Sequence, residues 1–234
     1  MPGHDMVVIG TSAGGLEQLL WIVRRLPADF PAAICIVQHV AATGPSLLPE
    51  ILTHAGALPA IHPSDKTPIQ HSHIYVAPPD RHMLVRNGHL HIVRGPKENG
   101  FRPAINATFR TAALAYGPRV VGVILTGMLD DGTAGLLAVK RRGGTAIVQD
   151  PASAAFPSMP ESACRYVAVD AVLLVADMPA LLERLAVEAV ATPRDARMPE
   201  DIGLEADISD MDRYALDRSL WAAYQSLDER LHLA

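Results

Sequence analysis

Short apolar runs of strand character alternate along this chain with segments of helical period, and the alternation leaves few folds open. Met6 to Ile9 precedes a helical pattern over Leu16 to Leu26, and Ala33 to Gln38 precedes another over Ser46 to Ala55. Strand, helix and strand in succession read as a βαβ unit, whose parallel strands need helices to cover both faces of the sheet. The pattern resumes with a helix over Ala104 to Tyr116, a buried strand at Val120 to Leu125, a helix from Thr133 and a strand at Thr145 to Gln149. A short strand at Val167 to Val169 and a helix over Pro179 to Val190 close the series. The expected fold is α/β: a doubly wound, mostly parallel sheet with helices on both faces. One segment breaks the rhythm. His82 to Arg86 and His89 to Val93 flank Asn87-Gly88, a dipeptide that accepts the two positive φ angles of a type I′ turn. A β-hairpin is expected there, appended at a sheet edge.

With 234 residues, 49% of them hydrophobic, the chain can bury one sizeable core plus an appendage. The expected division is a domain over 1–190, followed by a proline- and charge-rich linker and an amphipathic helix within 191–234. In that tail Ser209 and Asp212 resemble a capping box, and Leu216, Leu220, Tyr224, Leu227 and Leu231 recur at helical spacing. The tail also carries the charge imbalance, with ten acidic and five basic residues from Arg194 onward. Its apolar stripe packs on the parent domain or serves self-association or partner docking through 209–232. Nothing resembles the basic stripe of a nucleic-acid binder. No apolar run approaches the ~20 residues of a membrane span, and the N-terminus lacks a secretory signal, so a cytoplasmic location is expected. Cys35 and Cys164 lie in apolar segments without zinc-ligand spacing and read as reduced core residues.

Val7-Val8-Ile9-Gly10-Thr11-Ser12-Ala13-Gly14-Gly15 places a serine directly after a buried strand and before a helix, within a Gly-x-Ser-x-Gly frame. Glycines permit the tight turn of a nucleophile elbow, the hydroxyl projects above the sheet, and helix N–H groups can face a developing oxyanion. A phosphate-binding loop is disfavoured because Leu16-Glu17 stands where Lys-Ser/Thr belongs. The dinucleotide-binding glycine pattern fails as well, because its second glycine is missing. Ser12 is therefore the candidate nucleophile, and a purely structural turn is the competing reading.

A nucleophilic serine needs a base. His39 stands at the end of the next strand, on the side of the sheet where α/β sites form. Among the ten histidines it is singled out by that position. The pairs His71/His73 and His89/His91 have strand spacing but no accompanying acidic or cysteine cluster that would make a metal site, and read as structural or exposed. Leu125-Thr126-Gly127-Met128-Leu129-Asp130-Asp131-Gly132 again runs from a buried strand into a glycine-punctuated turn. Asp130 or Asp131 could orient the imidazole, while the other caps the following helix or faces solvent.

Taken together these segments resemble the catalytic domain of the bacterial chemotaxis protein-glutamate methylesterases, over roughly Val7 to Val190. The matching stretches are Ile9 to Gly15, Val37-Gln38-His39, His73-Ile74-Tyr75-Val76-Ala77-Pro78-Pro79-Asp80-Arg81-His82-Met83, Arg102-Pro103-Ala104, Leu125 to Gly132, and Met159-Pro160 followed by Ala163. The resemblance implies that Ser12, His39 and Asp131 form a Ser-His-Asp triad. It also implies that backbone N–H groups at Ala13, Gly14 and Met128 serve the oxyanion or the substrate. Its further implications are hydrolysis of glutamyl methyl esters on a methylated chemoreceptor or receptor-like protein, glutamine deamidation by the same acyl transfer, and no metal or organic cofactor. The alternative is a catalytically silent or non-chemotaxis signalling scaffold acting through the C-terminal helix. Three departures stand out. Only five residues precede the first strand where family members usually carry a receiver domain, so control in cis by such a domain is not expected. Leu129 replaces a glycine common after the methionine, which would narrow the turn's freedom. Proline and serine stand in Ala154 to Pro160 where a glycine usually precedes Met-Pro.

Overall fold

The computed structural model describes residues 3–43 and 46–190. In its central strands every residue but Gln38, at the carboxyl end of the second strand, is buried, because helices cover both faces. β1 (Met6–Thr11) sends Met6 and Val8 to one hydrophobic cluster and Val7 and Ile9 to the other. β2 (Ala33–Gln38) divides its residues in the same alternation, with Cys35 and Val37 on one face and Ile34 and Ile36 on the other. Continuous apolar runs in place of apolar–polar alternation are what a parallel sheet covered on both faces requires. Each fully buried Val, Leu or Ile side chain contributes about 1.5–3 kcal/mol.

The remaining elements follow in chain order: α1 (Gly15–Val23), α2 (Leu48–Ala55), β3 (Ala60–Ile61), β4 (Thr67–Pro68), β5 (Ile74–Val76), β6 (His82–Arg86), β7 (His89–Val93), α3 (Ile105–Tyr116), β8 (Val120–Ile124), α4 (Thr133–Arg141), β9 (Thr145–Gln149), α5 (Ser158–Tyr166), β10 (Ala171–Leu173) and α6 (Met178–Val187). Seven strands form one parallel sheet in the order β10-β9-β8-β1-β2-β5-β3. The α/β class and the two-sided helix cover agree with the expectation. Strand order reverses on either side of β1, which pairs with both β2 and β8. A crevice opens beyond the carboxyl ends of strands at such a switch point.

The hairpin forms where Asn87-Gly88 predicts it, with φ of 48° and 76° at those residues, but its placement differs from the expectation. It belongs to a separate antiparallel sheet of order β4-β7-β6 and does not extend the main sheet. That small sheet lies against α3, where Thr111 Oγ1 accepts the Val85 N–H (3.0 Å) and Thr108 Oγ1 donates to the Met83 carbonyl (2.7 Å). The final strand also differs, forming at Ala171–Leu173 and not at Val167 to Val169. The Val167 N–H bonds back to the Ala163 carbonyl as α5 ends. The helix α5 escapes a reading of period because Pro157 and Pro160 punctuate it, yet prolines are tolerated in a first turn whose N–H groups need no helical partner. β3, β4 and β5 have two or three residues each, too few to show a period. His71 and His73 consequently lie just ahead of β5 and not on a strand, while His89 and His91 do share β7.

Cys35 and Cys164 are free, the first buried with its thiol pushed up to about 12 by desolvation. No helix among the described residues is long and apolar enough to cross a membrane. The expected C-terminal helix, with Ser209, Asp212 and the leucine stripe, lies outside the described residues, as does the linker of the expected division at 190/191.

Candidate active site

Three neighbouring strands deliver one polar side chain each to the crevice. Ser12 follows β1, His39 follows β2, and Asp131 lies in the turn after β8. Ser12 Oγ lies 3.1 Å from His39 Nδ1, and His39 Nε2 lies 2.8 Å from Asp131 Oδ2. Asp131 also receives the Ile105 N–H on Oδ2 (2.7 Å) and the Asn106 N–H on Oδ1 (3.2 Å). It is thus an acceptor on every side. His39 Nε2–H must donate to it, which leaves the Nδ1 lone pair facing the serine hydroxyl. The imidazole bridges the two through the reverse of the more familiar arrangement, in which Nε2 faces the serine.

The backbone holds these groups in register. The Ser12 N–H donates to the Thr126 carbonyl (3.0 Å), and the His39 N–H to the Thr11 carbonyl (3.1 Å). The Gln38 amide donates to the carbonyls of Ser12 (2.7 Å) and His39 (3.2 Å), tying the two strand ends together. Gly14, with φ of 76°, makes the left-handed turn into α1. Gly127 lies beneath the nucleophile, where a Cβ would sit 2.9 Å from Ser12 Cβ and inside the Met159 sulfur. Only glycine fits that approach.

Of the two aspartates, Asp131 is 1% exposed and Asp130 faces solvent. Asp131 does cap a helix, though not the one after it. Its carboxylate sits on the first N–H groups of α3, where the partial positive charge of the helix terminus favours an anion. Asn106 reciprocates from α3, its Oδ1 accepting the N–H groups of Gly132 (3.0 Å) and Gly135 (2.8 Å) at the start of α4. Two helix starts are thereby locked around the acid.

Ala13 and Gly14 follow Ser12 in the turn into α1, and Met128 follows Gly127, which lies beneath Ser12. The N–H groups of Ala13, Gly14 and Met128 make no backbone hydrogen bond among the described residues, as oxyanion donors require. Leu129, beside them, takes φ of 67° and is 59% exposed. The leucine therefore does not keep the turn out of the left-handed region, which it occupies at a cost of about 1–2 kcal/mol. The proline-containing segment before α5 packs on this turn, with the Gly127 N–H donating to the Phe156 carbonyl and the Met159 N–H to the Gly127 carbonyl.

Two further residues shape the site without having been singled out in the sequence. The Phe101 ring stacks on His39, with centroids 3.7 Å apart and planes 7° from parallel. His82 is fully buried. Its Nε2–H donates to the Pro96 carbonyl (2.7 Å), and its Nδ1 accepts the Ala104 N–H (3.3 Å). Burial pushes the His82 imidazole below its ordinary 6.5. Between that ordinary value and the lowered one, the unfolded chain binds more protons than the folded one. Stability is then fully present above about pH 6.5 and declines as the pH falls below it. His4, also pushed down by burial, acts in the same window. The urea midpoint is expected to drop between about pH 7.5 and pH 5, and His82→Gln is expected to narrow that drop even as it lowers both midpoints. An unchanged pH difference in the variant would remove His82 from this account.

Of the other histidines, His71 and His89 are exposed and His73 and His91 half-buried. Among the described residues, no group of three or more His, Cys, Asp or Glu is placed to hold a metal ion.

Comparison with known proteins adds a second line of observation. The family profile for CheB methylesterase matches residues 7–182. A putative protein-glutamate methylesterase/protein-glutamine glutaminase of Leptospira interrogans is 37% identical over 183 residues, covering 78% of this chain and 95% of the relative. Protein-glutamate methylesterase/protein-glutamine glutaminase 2 of Anaeromyxobacter dehalogenans is 37% identical over 181 residues. There the match covers 77% of this chain and 53% of the relative, so the chain spans about half that protein's length. The crystal structure of the Thermotoga maritima CheB methylesterase catalytic domain superposes with a TM-score of 0.72 at 34% identity, covering 77% of this chain and 98% of that one.

Proposed function

Because the chain belongs to the CheB methylesterase family, we propose that it hydrolyses methyl esters on glutamate side chains of methylated chemoreceptors or receptor-like proteins, with Ser12, His39 and Asp131 as its catalytic residues. The observation that carries this reading is the unbroken hydrogen-bonded line from Ser12 Oγ through His39 to Asp131 at the ends of three adjacent strands. Ser12 Oγ attacks the γ-carbonyl carbon while its proton passes to His39 Nδ1, and the resulting imidazolium keeps its Nε2–H on Asp131. The carbonyl oxygen becomes an oxyanion facing the N–H groups of Ala13, Gly14 and Met128. Collapse breaks the carbon–methoxy bond, His39 returns the proton, and methanol leaves. Water then attacks the acyl-serine with His39 again taking a proton, which regenerates Ser12 and frees the glutamate. A glutamine side chain takes the same route with ammonia as the leaving group, in keeping with the glutaminase in the relatives' names.

A catalytically silent scaffold would gain nothing from an imidazole and a carboxylate held almost out of solvent, with side-chain exposures of 6% and 0%, in line with a serine hydroxyl. The domain division at 190/191 and a docking role for 209–232 belong to the same proposal. Purified, methylated receptors of the source organism are expected to release methanol when the protein is added. Absence of methanol from every methylated receptor tested would remove the substrate assignment.

A further inference from the structure

Phe101 is carried to the site by a construction of its own. The segment between β7 and α3 doubles back at Asn99-Gly100, with φ of 48° and 80° at those residues. Glu98 and Phe101 close the turn by exchanging both backbone hydrogen bonds, the Phe101 N–H donating at 2.8 Å and the Glu98 N–H at 3.2 Å. This is the two-residue primed turn that Asn-Gly favours, and its last residue is Phe101. Ion pairs anchor it on both sides. Glu98 takes both oxygens to Arg110 of α3 (2.8 and 2.9 Å). Arg102 donates to Asp80 (Nε, 2.9 Å) and to the Gly95 carbonyl (2.7 Å), and Arg94 also pairs with Asp80 (2.8 Å). The guanidinium of Arg102 beside Asp80 holds that carboxyl below its ordinary value. His82 fixes the carbonyl of Pro96 from beneath. A turn clamped at this many points delivers one aromatic ring, and that ring lies flat on His39.

We infer that Phe101 is a positioning residue for the general base: it holds the His39 ring in the plane that joins Ser12 to Asp131 and stabilises the imidazolium that forms there. The inference rests on the hydrolytic reading of Ser12 and His39. Three physical effects support it. At 3.7 Å the rings are in van der Waals contact, so the imidazole cannot swing out of plane without parting the stack. When Nδ1 takes the serine proton, the positive charge spreads over a ring lying on the face of a benzene π system, an attractive arrangement. Water is also kept from that face, which strengthens the hydrogen bonds to Ser12 and Asp131.

Covalent labelling of Ser12 by a fluorophosphonate probe reads serine activation without requiring a methylated receptor, and it is the primary measurement. Phe101→Leu is expected to slow labelling about tenfold, whereas Phe101→Tyr, which keeps the stack, is expected to restore the rate to within about twofold of the parent. With an ester substrate, the Leu variant should lose kcat with KM nearly unchanged, because the contact acts on the base and not on the substrate. NMR of the His39 ring protons supplies a geometric check, since they should lose their upfield ring-current shift in the Leu variant and keep it in the Tyr variant. Titrating the reactive serine separates slower chemistry from a smaller folded fraction. Labelling of the Leu variant at the parent rate would overturn the inference, and so would a loss confined to KM. Labelling without methanol release would overturn only the substrate assignment. No labelling of the parent chain would overturn the catalytic roles of Ser12 and His39 and, with them, the positioning role of Phe101.

Discussion

Ser12→Ala is expected to lower methanol release by about four to six orders of magnitude while leaving the fold intact. The size follows from removing the attacking atom. Water would have to attack the ester directly, helped only by the N–H groups of Ala13, Gly14 and Met128 and by binding. The fold should hold because, among the described residues, the Oγ makes a single hydrogen bond, to His39. All the backbone bonds at this position survive the change: the N–H to Thr126, and the carbonyl accepting from Gly15 and Gln38. His39 Nδ1 can take water in place of the hydroxyl, so the cost in stability should stay within about 1 kcal/mol. Methanol release under saturating substrate and a urea midpoint, measured on the same preparation, check both halves. Retained turnover would sink the mechanism, and a collapsed midpoint would show that Ser12 had been read too narrowly.

The parts of this site that could be read in the sequence are those held on long, regular elements. β1, β2 and β8 announce themselves as apolar runs because both their faces are buried, and each run ends at the residue or turn that carries the chemistry. That brought Ser12 and His39 into view from position alone. Asp131 could not be separated from Asp130 in this way, because the distinction lies in burial and in two N–H groups contributed by α3, about 25 residues earlier. Phe101 and His82 were hidden for a different reason. Both act through a loop whose shape depends on distant ion pairs, Arg102 with Asp80 and Arg110 with Glu98, and no local period reports such pairs. A local signal did exist: Asn99-Gly100 repeats the dipeptide that marks the hairpin at Asn87-Gly88. The misplaced last strand has a similar origin. Val167 and Val169 have strand propensity, but Val167 ends α5, and pairing with β9 begins only where Asp170 meets Ala146 (N–H to carbonyl, 2.9 Å).

Asp131→Asn is the change in which catalysis and stability should fail together, because the carboxylate serves three donors with two oxygens. An asparagine has one oxygen and one NH2 group. If the oxygen stays toward His39 Nε2 and the Ile105 N–H, the NH2 group faces the Asn106 N–H, and a buried donor meets a donor. That arrangement keeps the imidazole tautomer but costs about 1–3 kcal/mol. If the amide turns the other way, its NH2 group faces His39 and the Ile105 N–H. His39 Nε2 must then become an acceptor, its proton moves to Nδ1, and the lone pair that would receive the Ser12 proton is gone. Either orientation also removes the negative charge that stabilises the imidazolium. The expected result is a fall in kcat of about 10⁴ together with a lowered urea midpoint. Nitrogen NMR of the His39 ring distinguishes the orientations by showing which nitrogen carries the proton. Ser12 labelling by a fluorophosphonate should slow in parallel with kcat. A variant that loses stability but keeps its turnover would make Asp131 a helix cap and nothing more, and the acid of the site would have to be sought elsewhere.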